Sequence, residues 1–173
     1  MGELKEYIRK RQLHRHSFRG KTALRPLKDM RTAIVLLDVG STSRLLDFRD
    51  RVCEWFFANG IRARFFYLDF RKPKKNMVQL SAPADTLTLR HLSCYTRTPD
   101  LRKFNPEFLR PCDLFVSFVS EESYPLLFLS VAVPASFKIG SVNDPAYPYD
   151  LIIPASDPVD MFVCMKDILL KIS

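Results

Sequence analysis

The stretch from residue 33 to residue 70 constrains the fold more tightly than any other part of the chain. Ala33-Ile34-Val35-Leu36-Leu37-Asp38 is a continuous apolar run with the short length and β-branched content of a strand buried on both faces. Val39-Gly40-Ser41-Thr42-Ser43 is turn chemistry whose hydroxyls can also cap a helix. Leu45, Phe48, Val52, Trp55 and Phe56 then recur at helical spacing, and Asp47 and Arg51 form an i,i+4 pair on the polar side. Asn59-Gly60 supplies a left-handed stop, and residues 63–70 read as a second strand. Strand, helix and strand make a βαβ unit, which requires a parallel sheet with right-handed crossovers.

The same alternation resumes after an irregular middle. Residues 112–119 read as another buried strand, residues 124–133 as an almost wholly apolar helix with Pro125 in its first turn, and residues 136–140 as a short strand. A loop rich in Pro, Asn and Asp leads to a last short strand at 150–154. Asp157-Pro158 opens the closing helix as N-cap and first residue, and Phe162, Met165, Ile168, Leu169 and Ile172 give that helix a core face. Between the halves, residues 78–80 and 87–95 hold short strand-like or irregular runs, and a helical turn is expected around 107–110. Residues 3–18 form a basic helix in which Leu4, Tyr7 and Ile8 share the apolar side.

A chain of 173 residues with 47% hydrophobic content builds one ordinary domain with a real core. Its longest apolar candidate, residues 125–137, is short and carries two prolines, so no membrane span is expected. The basic N-terminus lacks the apolar segment of a signal peptide, and the expected location is cytoplasmic. Cys53, Cys94, Cys112 and Cys164 are widely spaced and form no C-x-x-C pair. They are expected to be reduced and mostly buried. With only His14, His16 and His91 beside them, neither a metal site nor any cofactor is expected, and a Cys94–His91 catalytic pair is a bare pattern. The charge is lopsided: residues 1–32 hold ten Lys/Arg against three acids, a net +7 of the chain's +8.

Two surfaces are candidates for function. Open α/β sheets bind ligands beyond the carboxyl ends of their strands. Those ends offer Asp38, Gly40, Ser41, Thr42 and Ser43, then Asp69 with the cluster Arg71-Lys72-Pro73-Lys74-Lys75, then Ser117, Ser120 and Glu121, then Gly140, Asn143 and Asp144. A phosphorylated ligand or nucleotide would use Gly40, Ser41, Thr42 and Ser43 at the helix start, with Lys74 and Lys75 as counter-charges. The loop carries neither a dinucleotide fingerprint nor a P-loop, and helix capping alone accounts for its hydroxyls. The carboxylates Asp113, Glu121, Glu122 and Asp144 have no spacing that demands acid–base chemistry. The second surface is the basic arm, where Arg9, Lys10, Arg11, Arg15 and Arg19 would meet nucleic acid, another anionic surface or a protein.

Several stretches resemble known families. Asp38-Val39-Gly40-Ser41-Thr42-Ser43 looks like the phosphate-binding turn of the actin-like sugar-kinase superfamily, but there the turn joins antiparallel strands, whereas here a helix follows. "DLFVSFVSEESYPLLFLSVAVPASFKIG" is similar in layout to the N-terminal Rossmann-like domain of heptosyltransferase-type GT-B glycosyltransferases, which implies the fold without the transferase activity. Across nearly the whole chain, the order of basic helix, "TAIVLLD", "YLDFRKPK", that same stretch, "YDLIIP" and a closing helix resembles a domain-of-unknown-function family of short Bacteroidota α/β proteins. That resemblance supplies no activity and no catalytic residues.

The expectation is therefore a basic helical arm at 1–32 and, at 33–173, a single Rossmann-like three-layer α/β domain with a mainly parallel sheet. The leading expectation for function is a non-enzymatic binding or regulatory module whose arm contacts a polyanion or protein. The alternative is a small-molecule-binding protein or enzyme with its site at the strand ends. A homo-oligomer face around Tyr124 and Phe128 is a third.

Overall fold

The computed structural model describes residues 2–17, 22–40, 44–71 and 83–172. Six strands form one sheet: β1 (Thr32–Asp38), β2 (Arg62–Asp69), β3 (Thr86–Thr88), β4 (Cys112–Ser117), β5 (Ala135–Gly140) and β6 (Leu151–Ile152). Their spatial order is β3-β2-β1-β4-β5-β6 and every neighbouring pair is parallel. This is a single α/β domain of Rossmann-like topology, and the direction of winding reverses between β1 and β4. β1 is central, with Ala33 to Leu37 all buried, which is why its sequence is apolar at consecutive positions rather than alternate ones.

Helices α2 (Leu45–Ala58) and α4 (Pro158–Lys171) cover one face of the sheet. Leu45, Phe48, Val52 and Phe56 of α2 meet Met161, Phe162, Met165 and Leu169 of α4 over Ala33, Val35 and Leu37. Phe48 and Phe118 pack edge-on at 5.2 Å, and Phe48 and Phe162 do so at 6.0 Å. The boundaries follow local chemistry. Asp157 caps α4 by accepting from the Val159 N–H at 2.8 Å. Gly60, at φ 72°, ends α2 in the left-handed conformation while the Ile61 N–H reaches back to the Phe56 carbonyl at 2.9 Å.

The opposite face is covered by α3 (Tyr124–Ala132), by the β3–β4 connection and by the loop before β6. The connection contains only single-turn 3-10 helices, at Leu89–His91, Leu101–Lys103 and Pro106–Leu109. Phe104 and Phe108 anchor it against Phe66, with ring centroids 5.0–5.4 Å apart. The Arg64 guanidinium ties the same segment down through the Glu107 carboxylate at 2.6 Å. In the last loop Tyr147 stacks on Tyr149 at 5.5 Å. The Tyr149 ring lies so close over Gly140 that a Cβ there would stand 2.3 Å from it, which requires glycine.

Several expectations need correction. Cys53, Cys94 and Cys164 are exposed and only Cys112 is buried, because the first and third fall on the solvent sides of α2 and α4. Leu4 and Tyr7 of α1 (Gly2–His16) face solvent, at 60% and 63% exposure, while Ile8, Arg9, Gln12, Leu13 and His16 are half-buried. The domain core also begins before residue 33, since Leu27 and Met30 are buried in it and Leu24 packs against it. No described helix is long and apolar enough to cross a membrane.

Candidate functional site at the strand-order reversal

Parallel strands end together, so the carboxyl ends of β1, β2 and β4 bring their following loops to one edge of the sheet. A cleft of about 500 Å³ opens there, lined by Asp38, Gly40, Leu68, Phe70, Arg71, Val119, Ser120, Glu121, Ser123 and Ser156. Leu68, Phe70 and Val119 form its apolar part, and the carboxylates and serines supply the polar atoms. β1 contributes Asp38, whose carboxylate accepts from the Gly40 N–H at 2.9 Å and so closes the turn on itself. Two residues past the end of β2, Arg71 forks onto both oxygens of Asp69 at 2.8 Å each. Ser123 caps α3 by accepting from the Leu126 N–H at 3.3 Å, and its own N–H donates to the Tyr147 hydroxyl at 3.0 Å.

The electrostatics of the cleft are carboxylate chemistry. Burial raises the Asp38 pKa most, the Gly40 N–H partly offsets this, and the charges of Glu121 and Asp69 add to the rise. Asp69 moves the other way, because the Arg71 guanidinium beside it favours its ionised form. Among the described lining residues, Arg71 pairs with Asp69, and Asp38 and Glu121 are the carboxylates. Carboxylate and serine oxygens accept hydrogen bonds from hydroxyl and ammonium groups.

The structure separates the candidates read from the sequence. Asp38, Gly40, Ser120, Glu121 and Arg71 come together in the cleft. Ser41, Thr42, Ser43, Lys74 and Lys75 lie outside the described residues, as does Arg19 of the arm. Ser117 is fully buried and accepts from the Val119 N–H at 3.5 Å, Gly140 is roofed by Tyr149, and Asp144 holds its own loop through the Ala146 N–H at 2.8 Å. Asp113 lies at the opposite end of β4, where it accepts from the Arg31 N–H, the Thr32 N–H and the Thr32 hydroxyl at 2.9–3.1 Å. Burial pushes its pKa up, but those hydrogen bonds outweigh it and the net shift is downward, as suits a structural staple. The His91 ring accepts from the Thr88 N–H at 3.2 Å and so caps a turn.

Leu68, Phe70, Val119, Ser123 and Ser156 escaped sequence reasoning. The first three read as strand residues, Ser123 as the end of a polar turn, and Ser156 comes from a loop far along the chain. Among the described residues, no group of three or more His, Cys, Asp and Glu is placed to hold a metal ion.

Buried Lys138 is a separate feature. It is 3% exposed on β5, and its Nζ donates to the Ser130 carbonyl at 2.7 Å, at the C-terminal end of α3. Burial pushes its pKa down to about 8, with the Asp150 carboxylate opposing the shift. It serves as a helix cap and is not among the residues lining the cleft.

No family model matches the chain, and no curated protein or solved structure matches it.

Proposed function

We propose that the chain is a small-molecule-binding protein whose ligand occupies the cleft at the ends of β1, β2 and β4. One observation carries this reading: a cleft of about 500 Å³ at the point where the strand order reverses, bordered by the carboxylates Asp38 and Glu121. The ligand class follows from the lining. Carboxylates and serine hydroxyls suit a polyol, a nucleoside or an amine, with Leu68, Phe70 and Val119 against its apolar part. A phosphate would have to approach two carboxylates. The raised pKa of Asp38 also suits proton transfer, so an enzyme acting on such a ligand uses Asp38 as its acid–base group.

A thermal-shift series tests the reading. Nucleosides, sugars and polyamines form one panel, and their phosphorylated counterparts form the other. A ligand present at about 100 times its Kd stabilises the folded chain by about 2.7 kcal/mol, a shift of several degrees. Stabilisation by a member of the first panel, lost in Asp38→Asn, is the expected result. Stabilisation by phosphorylated compounds alone, undiminished in Asp38→Asn, would overturn it.

A further inference from the structure

The rotation of α1 is fixed by what it covers. α3 is apolar nearly all round, and Leu126 and Leu129 face the sheet while Tyr124 and Phe128 lie on its other side. α1 packs on that outer side, with the His16 ring 5.0 Å from Phe128 and the Arg9 guanidinium 4.4 Å from the centre of the Tyr124 ring. Arg9 also donates to the Thr96 carbonyl at 2.9 Å, and the Tyr124 hydroxyl donates to the Arg9 carbonyl at 3.4 Å. Thr96 belongs to a turn closed by hydroxyls: Ser93 and Thr96 are 2.6 Å apart, and Thr96 and Thr98 are 2.7 Å apart. Arg9, expected among the outward cations, is thus the tether.

With that side docked, the outward side is Tyr7, Lys10, Arg11, His14 and Arg15, all exposed. Lys10, Arg11 and Arg15 form no ion pair with any described residue. At about 1.5 Å of rise per residue they span roughly 7.5 Å, about two charge spacings along one nucleic-acid strand. Tyr7 stands one turn before Lys10, 63% exposed, and offers a ring face to a base. Complementing the helix dipole accounts for Arg15 in the last turn, but not for Lys10 and Arg11 before it, in a helix whose five Lys/Arg stand against only Glu3 and Glu6. A lipid surface fits poorly, because an interfacial helix needs a broad apolar face and α1 has turned Ile8 and Leu13 inward.

We infer that the outward face of α1 binds single-stranded nucleic acid, with Lys10, Arg11 and Arg15 on successive phosphates and Tyr7 stacked on a base. This surface is independent of the cleft and does not require the cleft to bind anything.

Fluorescence anisotropy of the full chain with a labelled 20-nucleotide oligothymidylate tests the inference. Three phosphate contacts predict a slope of about −2 for log affinity against log salt. Lys10→Gln, Arg11→Gln and Arg15→Gln combined should abolish binding with an unchanged melting temperature, since none of the three holds the fold. Tyr7→Ala should weaken binding about tenfold, and Asp38→Asn should leave it intact. Retained binding by the triple variant, or a slope near zero, would overturn the inference. So would tighter binding to phosphatidylserine vesicles than to the oligonucleotide, or tighter binding to a duplex with no effect of Tyr7→Ala.

Discussion

The two faces of the sheet are covered by different means. On one, α2 and α4 lay regular apolar stripes across β1, and each helix carries its own stop or cap. On the other, the cover is one short apolar helix, a connection without regular structure and a tyrosine-bearing loop. The first cover is continuous, so its stability is distributed over many similar contacts. The second depends on discrete anchors: Phe104 and Phe108 in the connection, Tyr149 over Gly140, Lys138 at the end of α3 and Arg9 beneath α1. Irregular backbone packs tightly only where a large side chain or a charged fork pins it, and those positions are few.

Removing an anchor is the sharpest way to break this contrast. Phe108 is fully buried, touches Phe66 and Phe104 and stands 6.4 Å from Phe115. Phe108→Ala should cost about 3–5 kcal/mol in denaturant unfolding, with hydrogen-exchange protection lost first across residues 89–111. A cost under about 1 kcal/mol would show that the connection is a passive loop.

Lys138 gives a pH-dependent version of the same test. In the unfolded chain its amine keeps its proton up to the ordinary pKa of 10.5, whereas in the folded chain burial releases it near pH 8. Between those values unfolding takes up a proton, so stability rises with pH. The contribution amounts to about 3 kcal/mol over the whole interval. Cys112 opposes it above pH 9, because burial holds its thiol protonated up to about 12, from 9.0, while the unfolded thiol ionises. Comparing wild type with Lys138→Met at each pH leaves of the thiol only its electrostatic coupling to Lys138. The wild type should gain on the variant from pH 8 to pH 10, and parallel curves would remove Lys138 as a buried titrating anchor.

The smallest effect belongs to the regular face. Asp157→Ala removes one cap from α4 and should cost about 1 kcal/mol in Tm-derived stability, with fraying confined to the first turn. A loss as large as that from Phe108→Ala would erase the difference between the two covers.

The contrast also explains what could be read in advance. α2, α4 and the strands they cover announce themselves through periodicity, the Asp157-Pro158 start and the Asn59-Gly60 stop, all of which act within a few residues. The connection between β3 and β4 has no period, and its anchors differ from other phenylalanines only in what they meet. The docked side of α1 was unreadable for a related reason. Arg9 is a cation in any sequence window, and only the Tyr124 ring and the Thr96 carbonyl make it a tether.

Sequence alone determined that this protein is an α/β domain with a parallel sheet and a strongly basic N-terminal segment, because β-branched runs, helical periods and caps are local properties. Asp38, Gly40 and Glu121 could be nominated from it as strand-end residues. Tertiary structure decided that they share one cleft with Leu68, Ser123 and Ser156, that Arg71 is paired with Asp69, and which side of α1 meets solvent. The physical reason is strand order. Convergence of distant loops depends on which strands lie side by side, and hydrogen bonds between strands set that order across separations no local pattern records.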